Sequence, residues 1–216
     1  DPDEEVLVTA GASEAVDLAF RSFINPGDTV AVAQPCYVSY APGVEFAGGE
    51  VLPVRTRRAD EFKLTREVLR ESGAAAAEML VYCYPNNPTG ATMTHEELAE
   101  VAAFAREHDI MVVSDEIYAA LSYDHEHASI ATLPGMRERT IVVNGFSKAY
   151  AMTGLRLGYA LGPADGIGAL NRIHQYTMLS APTTAQYAAI EALESCGDEL
   201  AAMRAAYDRR RKLVLS

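Results

Sequence analysis

Lys148 stands between Ser147 and Ala149 just after an apolar run, and Arg156 follows eight residues later, in the stretch GFSKAYAMTGLRLGY. The chain has only three lysines, Lys63, Lys148 and Lys212, so the placement is informative. An amine beside apolar groups is poorly solvated, which favours its neutral, nucleophilic form, and such an amine condenses with an aldehyde. Four other stretches carry polar residues of complementary kinds. Gly11, Ala12 and Ser13 form a small-residue turn before a helix, either an anion site made of free N–H groups or a plain tight turn. Tyr37 in QPCYVSY either lies flat over a planar ligand or packs, and Asn86 or Asn87 in PNNPTG either presents an amide or serves a turn. Asp115, Glu116 and Tyr118 follow IMVVS and supply carboxylates and a phenol.

These residues occupy equivalent places in the pattern. Short apolar runs at 6–10, 29–33, 78–84, 110–114 and 140–144 alternate with amphipathic stretches, which predicts strands of a parallel sheet covered by helices. In such sheets ligands sit at the carboxyl ends of the strands, where the polar residues fall. The spacing of Val16, Ala19, Phe20 and Phe23 predicts a helix ending near Asn25, Pro26 and Gly27. Thr94 and Glu97 make a capping box before the stripe Leu98, Val101, Ala102 and Ala105. GLRLGYALGP, 154–163, alternates like a further strand, and the residues after it read as helical. Leu200, Met203, Tyr207 and Val214 continue an amphipathic pattern without a stop signal, which predicts a truncated chain.

Composition narrows the functional classes. An apolar content of 49% over 216 residues suits one soluble domain, and no apolar run approaches the roughly 18 residues of a membrane helix. A net charge of −12 argues against nucleic-acid binding, and the acidic start DPDEE is unlike a signal peptide, so a cytoplasmic protein is expected. Cys36, Cys83 and Cys196 read as buried thiols, neither a disulfide framework nor a zinc pattern. His125 and His127 read as solvated loop histidines, since no third ligand accompanies them. Asp115 and Glu116 after an apolar strand resemble a magnesium strand of a P-loop NTPase, but the chain has no GxxxxGK[ST].

If the aldehyde is pyridoxal 5'-phosphate (PLP), the scattered residues acquire roles: an anion site for its phosphate, an aromatic cover, a carboxylate for the pyridine nitrogen and donors for the ring oxygen. GASEA, PCYVSY, PNNPTG, SDEIY and SKAYAMTGLRLGY, in this order and spacing, resemble the class I, fold-type I PLP-dependent aminotransferases of the aspartate aminotransferase superfamily over essentially the whole chain. The resemblance implies a three-layer αβα fold with a mainly parallel, mixed central sheet, in which residues 1–216 are the PLP-binding large domain without the N-terminal arm and most of the C-terminal small domain. It implies transfer of an amino group between an α-amino acid and a 2-oxo acid by a homodimer.

Carried over by position, Lys148 matches the lysine that joins the cofactor aldehyde and shuttles a proton, and Asp115 the aspartate that keeps the pyridine nitrogen protonated. Tyr118 and Asn87 match the pair on the phenolic oxygen. Arg156, Ser147 and the backbone of Ala12 and Ser13 match the phosphate ligands, and Tyr37 the stacking ring. Gly145 departs from the Ser or Thr that many members carry, and Ser13 from the lysine of some aspartate-specific ones. The carboxylate-clamping arginine of the family is expected beyond Ser216. A related PLP lyase, of the C–S lyase or aminocyclopropane carboxylate synthase type, and the sensor half of a transcription regulator remain alternatives.

Overall fold

A computed structural model describes residues 1–216. Its strands are β1 (Val6–Thr9), β2 (Thr29–Gln34), β3 (Glu50–Arg55), β4 (Met79–Cys83), β5 (Met111–Asp115), β6 (Thr140–Gly145) and β7 (Gly158–Leu161). Its helices are α1 (Ala12–Phe23), α2 (Tyr40–Phe46), α3 (Arg66–Glu71), α4 (His95–Glu107), α5 (Ala164–Thr177), α6 (Thr183–Ser195) and α7 (Gly197–Leu215). The strands form one sheet in the order β1-β7-β6-β5-β4-β2-β3. β7 runs antiparallel to both its neighbours and every other pairing is parallel, so the sheet is mixed but mainly parallel.

Two apolar layers flank the sheet. On one face α1, α2 and α5 contribute Leu18, Phe20, Val44 and Leu170 against Val30, Val81 and Val143. On the other, α3 and α4 contribute Leu69, Val101 and Phe104 against Leu80 and Val112. Central strands buried on both faces read as unbroken apolar runs, which is why β2, β4 and β5 stand out in the sequence. The capping box opens α4 as expected: Thr94 Oγ1 accepts from Glu97 N–H at 3.3 Å, and Glu97 Oε2 from Thr94 N–H at 2.8 Å. α6 packs Ala185 and Ala189 on Phe146 and Leu157. No helix is long and apolar enough to cross a membrane.

The fold departs from the sequence reading at several points. β3 was not expected; it is an edge strand interrupted by Pro53 and flanked by Glu50 and Arg55, so it has no apolar run to reveal it. The strand expected over 154–163 is extended only over Gly158–Leu161. Before it, Thr153–Leu155 make a 3-10 turn and Arg156 takes a left-handed conformation with φ 54°, which breaks the alternation. Of the three cysteines only Cys83 is buried, Cys36 and Cys196 being half-buried. α7 has no fully buried residue: Leu200 and Met203 are half-buried, while Tyr207 and Val214 are exposed.

Two glycines bring the chain close enough to build a site. A Cβ on Gly158 would lie 2.3 Å from the nitrogen of Ala12, so β7 passes directly against the turn that opens α1. A Cβ on Gly145 would lie 2.9 Å from Gly158 Cα and equally near Leu157 O. The departure from Ser or Thr at this position therefore has a packing cause: the space belongs to the backbone of the neighbouring strand.

Candidate active site

The carboxyl ends of the parallel strands open onto a cleft of about 260 Å³ lined by 14 residues. All nine residues singled out in the sequence line it: Ala12, Ser13, Tyr37, Asn87, Asp115, Tyr118, Ser147, Lys148 and Arg156. They come from the carboxyl ends of β1, β2, β4, β5 and β6 or the segments that follow them, so the sheet is what gathers them.

One part of the cleft is built for an anion. α1 is preceded by Gly11, whose φ of 88° and ψ of 161° only glycine adopts comfortably, and no side chain caps the helix. The first N–H groups, those of Ala12 and Ser13, are thus left without intrahelical partners beside the cleft. Arg156 packs against this turn: a Cβ on Gly11 would lie 2.5 Å from its Nη2. Its Nη1 donates to Thr153 O at 3.0 Å, which holds the guanidinium without neutralising it. Ser147 adds a hydroxyl to the lining, while its carbonyl accepts from Thr153 Oγ1 at 2.8 Å and fixes the loop.

Asp115 is the buried carboxylate of the same cleft, 6% exposed. Tyr40 Oη donates to its Oδ2 at 2.6 Å and Ile117 N–H to its Oδ1 at 3.1 Å. Burial outweighs both donors and pushes its pKa up to about 6, so the carboxylate is poised to gain from a cationic partner. Burial, and then the charge of Asp115, hold the Tyr40 phenol well above its ordinary range. Burial likewise raises Cys83, whose Sγ donates to Pro85 O at 3.2 Å.

Lys148 is half-buried, with Nζ 5.7 Å from the centroid of the Tyr118 ring. Lys63 pairs with Glu61 and Glu97 and Lys212 with Asp208, whereas Lys148 pairs with no carboxylate. Burial raises the Tyr118 phenol, so it stays a proton donor at neutral pH. Tyr37 meets Tyr40 edge to face, with centroids 5.7 Å apart and planes at 80°.

The structure separates the paired candidates. Asn87 lines the cleft. Asn86 instead braces its own loop, its amide donating to Pro35 O at 3.2 Å and its Oδ1 accepting from Thr89 N–H at 3.1 Å. Glu116 is absent from the cleft lining and bonds His127 Nε2 at 2.8 Å, so that histidine is a partly buried structural partner rather than a solvated one. His125 is tied to Thr92 Oγ1 at 2.9 Å. Sequence reasoning missed Tyr40, Cys83 and Thr153; Tyr40 opens α2 three residues after Tyr37 in PCYVSY, and a second tyrosine in that motif was its only signal. A second cavity of about 650 Å³ adjoins the first, sharing Asn87, Tyr118, Ser147 and Lys148 and reaching Tyr207 and Arg211 on α7.

The sheet order and this cleft define an α/β domain with a polar cleft at the carboxyl edge of its strands. The chain belongs to the aminotransferase class I and II family, whose model matches residues 1–216. It is 47% identical over 214 residues to a putative aminotransferase, YugH, of Bacillus subtilis, covering 99% of this chain and 55% of that protein. It is 42% identical over 217 residues to an aspartate aminotransferase of Pyrococcus abyssi, covering 99% and 56%. Among solved structures, an aromatic aminotransferase of Pyrococcus horikoshii superposes with a TM-score of 0.95 at 43% identity, covering 99% of this chain and 58% of that one. The aspartate aminotransferase of Thermus thermophilus with maleate gives 0.93 at 41%, covering 98% and 56%. The chain spans about half the length of the curated relatives it matches.

Proposed function

We propose that the protein is a PLP-dependent aminotransferase that moves an amino group between an α-amino acid and a 2-oxo acid, and that residues 1–216 form its cofactor-binding large domain. The observation that carries the reading is Lys148: among three lysines it alone has no carboxylate partner, and it shares one cleft with Asp115 and Arg156. The donor set suits PLP, since the cleft combines a cationic, N–H-rich anion site with a buried carboxylate and three phenols.

Bound PLP would supply an aldehyde that condenses with amines and a ring that draws electrons from the substrate Cα. Arg156, the N–H groups of Ala12 and Ser13 and the Ser147 hydroxyl would hold its phosphate. Asp115 would hold a proton on the ring nitrogen, and Tyr40, donating to Asp115, keeps that carboxylate oriented. Tyr118 and the Asn87 amide would donate to the ring oxygen, and Tyr37 would cover the ring face. Lys148 Nζ would act as nucleophile and then carry the proton to and from the substrate Cα. The adjoining cavity gives the substrate side chain room. Its one facing arginine, Arg211, is already paired with Asp124 and Asp208, which leaves it a poor clamp for a substrate carboxylate.

A homodimer belongs to the same proposal, supported by exposed apolar residues on neighbouring segments: Tyr176, Leu179, Tyr187, Ile190 and Leu193. So does cytoplasmic residence, supported by three free thiols. The relatives named above carry aminotransferase names, which favours transfer over the lyase and sensor alternatives. The test is to mix the protein with PLP, reduce with borohydride and map the modified peptide. Label is expected on Lys148, and label confined to Lys63 or Lys212 would sink the assignment. With substrates, the amino group should appear on an added 2-oxo acid; ammonia released with no acceptor present would favour a lyase.

A further inference from the structure

Glu14 follows the anion-binding turn by one residue, yet it does not line the cleft. Its side chain is 12% exposed and points to α5, where His174 is 6% exposed. Glu14 Oε1 lies 2.7 Å from His174 Nδ1, and its Oε2 accepts from the backbone N–H of Ala10. An ionised carboxylate only accepts hydrogen bonds, so Nδ1 carries the hydrogen in this pair. Ala10 joins β1 to Gly11, and the turn between them is closed from several sides. Gly11 N–H donates to Thr9 O at 2.8 Å, Thr9 Oγ1 to Gly11 O at 3.0 Å and Glu14 N–H to Gly11 O at 3.1 Å. Within that set the Glu14 side chain is the partner of the Ala10 N–H, and His174 is what holds the side chain there.

A carboxylate one residue from a phosphate site would ordinarily repel the phosphate. Here both of its oxygens are engaged away from the cleft, one by the backbone and one by an imidazole in the last turn of α5. The carboxylate is thereby turned from the cleft and the turn is anchored to a helix 160 residues away in sequence. We propose that Glu14 and His174 are positioning residues for the phosphate: together they hold Ala10, and through it the Ala12 and Ser13 N–H groups, in the geometry that grips an anion. The inference rests on the reading of the cleft as a PLP site.

PLP and pyridoxal separate the two claims, because pyridoxal has the ring and aldehyde but no phosphate. Each is titrated into the protein and its Glu14→Ala, Glu14→Gln, His174→Leu and His174→Gln variants, following the absorbance change on binding, with circular dichroism to verify folding. Glu14→Ala and His174→Leu should weaken PLP about tenfold or more while pyridoxal changes by less than about twofold, since what is lost is the anchoring of a buried turn. His174→Gln, which keeps an N–H donor, should recover most of the affinity. The ³¹P resonance of bound PLP should move in Glu14→Gln, which retains the shape but not the charge. Variants that bind PLP like the parent, or that lose PLP and pyridoxal by the same factor, would overturn the proposal; if Glu14→Ala does not fold, the His174 pair decides. A parent protein that binds neither compound would overturn the cofactor reading, and this inference with it.

Discussion

Asp115 and Glu116 are neighbours at the end of β5, equally buried, and their surroundings differ in one respect. Glu116 is saturated: Oε1 accepts from Ser114 Oγ at 3.0 Å and Ser129 Oγ at 2.7 Å, and Oε2 meets His127 Nε2 at 2.8 Å. Asp115 has one phenol and one backbone N–H, borders the cleft, and is left with a pKa raised by burial. Alternation along the strand sends the two side chains to opposite faces of the sheet. A carboxylate supplied with every partner it needs braces the fold; one with fewer partners beside a cleft has capacity left for another.

The sharpest way to break this contrast is to remove each acid in turn. Asp115→Ala in the complete enzyme should lower turnover by several orders of magnitude while circular dichroism stays unchanged, because the ring nitrogen would lose the group that keeps it protonated. Near-parental half-reaction rates would make Asp115 a mere strand-end acid. Glu116→Ala should do the reverse. It leaves two hydroxyls and a partly buried imidazole without their acceptor, so chemical denaturation should record a loss of about 3 kcal/mol, with PLP affinity changed by less than about twofold.

Stability against pH sharpens the contrast. The Asp115 carboxyl moves from 3.8 to about 6 on folding. The folded state therefore holds this proton through a window where the unfolded chain has released it, and the stability of the cofactor-free protein falls as pH rises from about 4 to about 6. Asp115→Asn removes the penalty. The variant should match the parent near pH 4 and exceed it above pH 6, by on the order of 2 kcal/mol, in thermal melts across that range. Equal melting curves at pH 7 would show that Asp115 ionises at no cost.

The two acids also mark how far the sequence was legible. Central strands could be read because burial on both faces writes a continuous apolar run, and α4 because its cap and its stripe are local. β3 could not, because an edge strand with Pro53 carries no such run. The cleft residues were legible from the motifs, each at a strand's carboxyl end. Their supports were not: Tyr40 reaches Asp115 across 75 residues and His174 reaches Glu14 across 160, and no local pattern encodes such a contact. The left-handed turn at Arg156 was hidden by an alternation that looks like a strand.

The smallest expected effect concerns the one partner that Asp115 draws from a side chain. Tyr40 is fully buried in the sheet-facing layer and gives its hydroxyl to Oδ2, so Tyr40→Phe keeps the ring and its packing while removing a single donor. That donor favours the ionised acid, and without it the carboxyl pKa should rise further. In the cofactor-free protein the fall in stability with pH should then continue to higher pH than in the parent, which thermal melts across the same range would register. In the complete enzyme a bound cationic ring would offset part of the loss, so turnover should drop only about tenfold, the equivalent of one hydrogen bond to a charged group. The acid limb of the rate profile should move to higher pH, since a higher pH is then needed to keep Asp115 ionised. An unchanged profile and unchanged melts would mean that Ile117 N–H alone sets this carboxylate, and the partial supply of donors that distinguishes Asp115 from Glu116 would not be tuned by Tyr40.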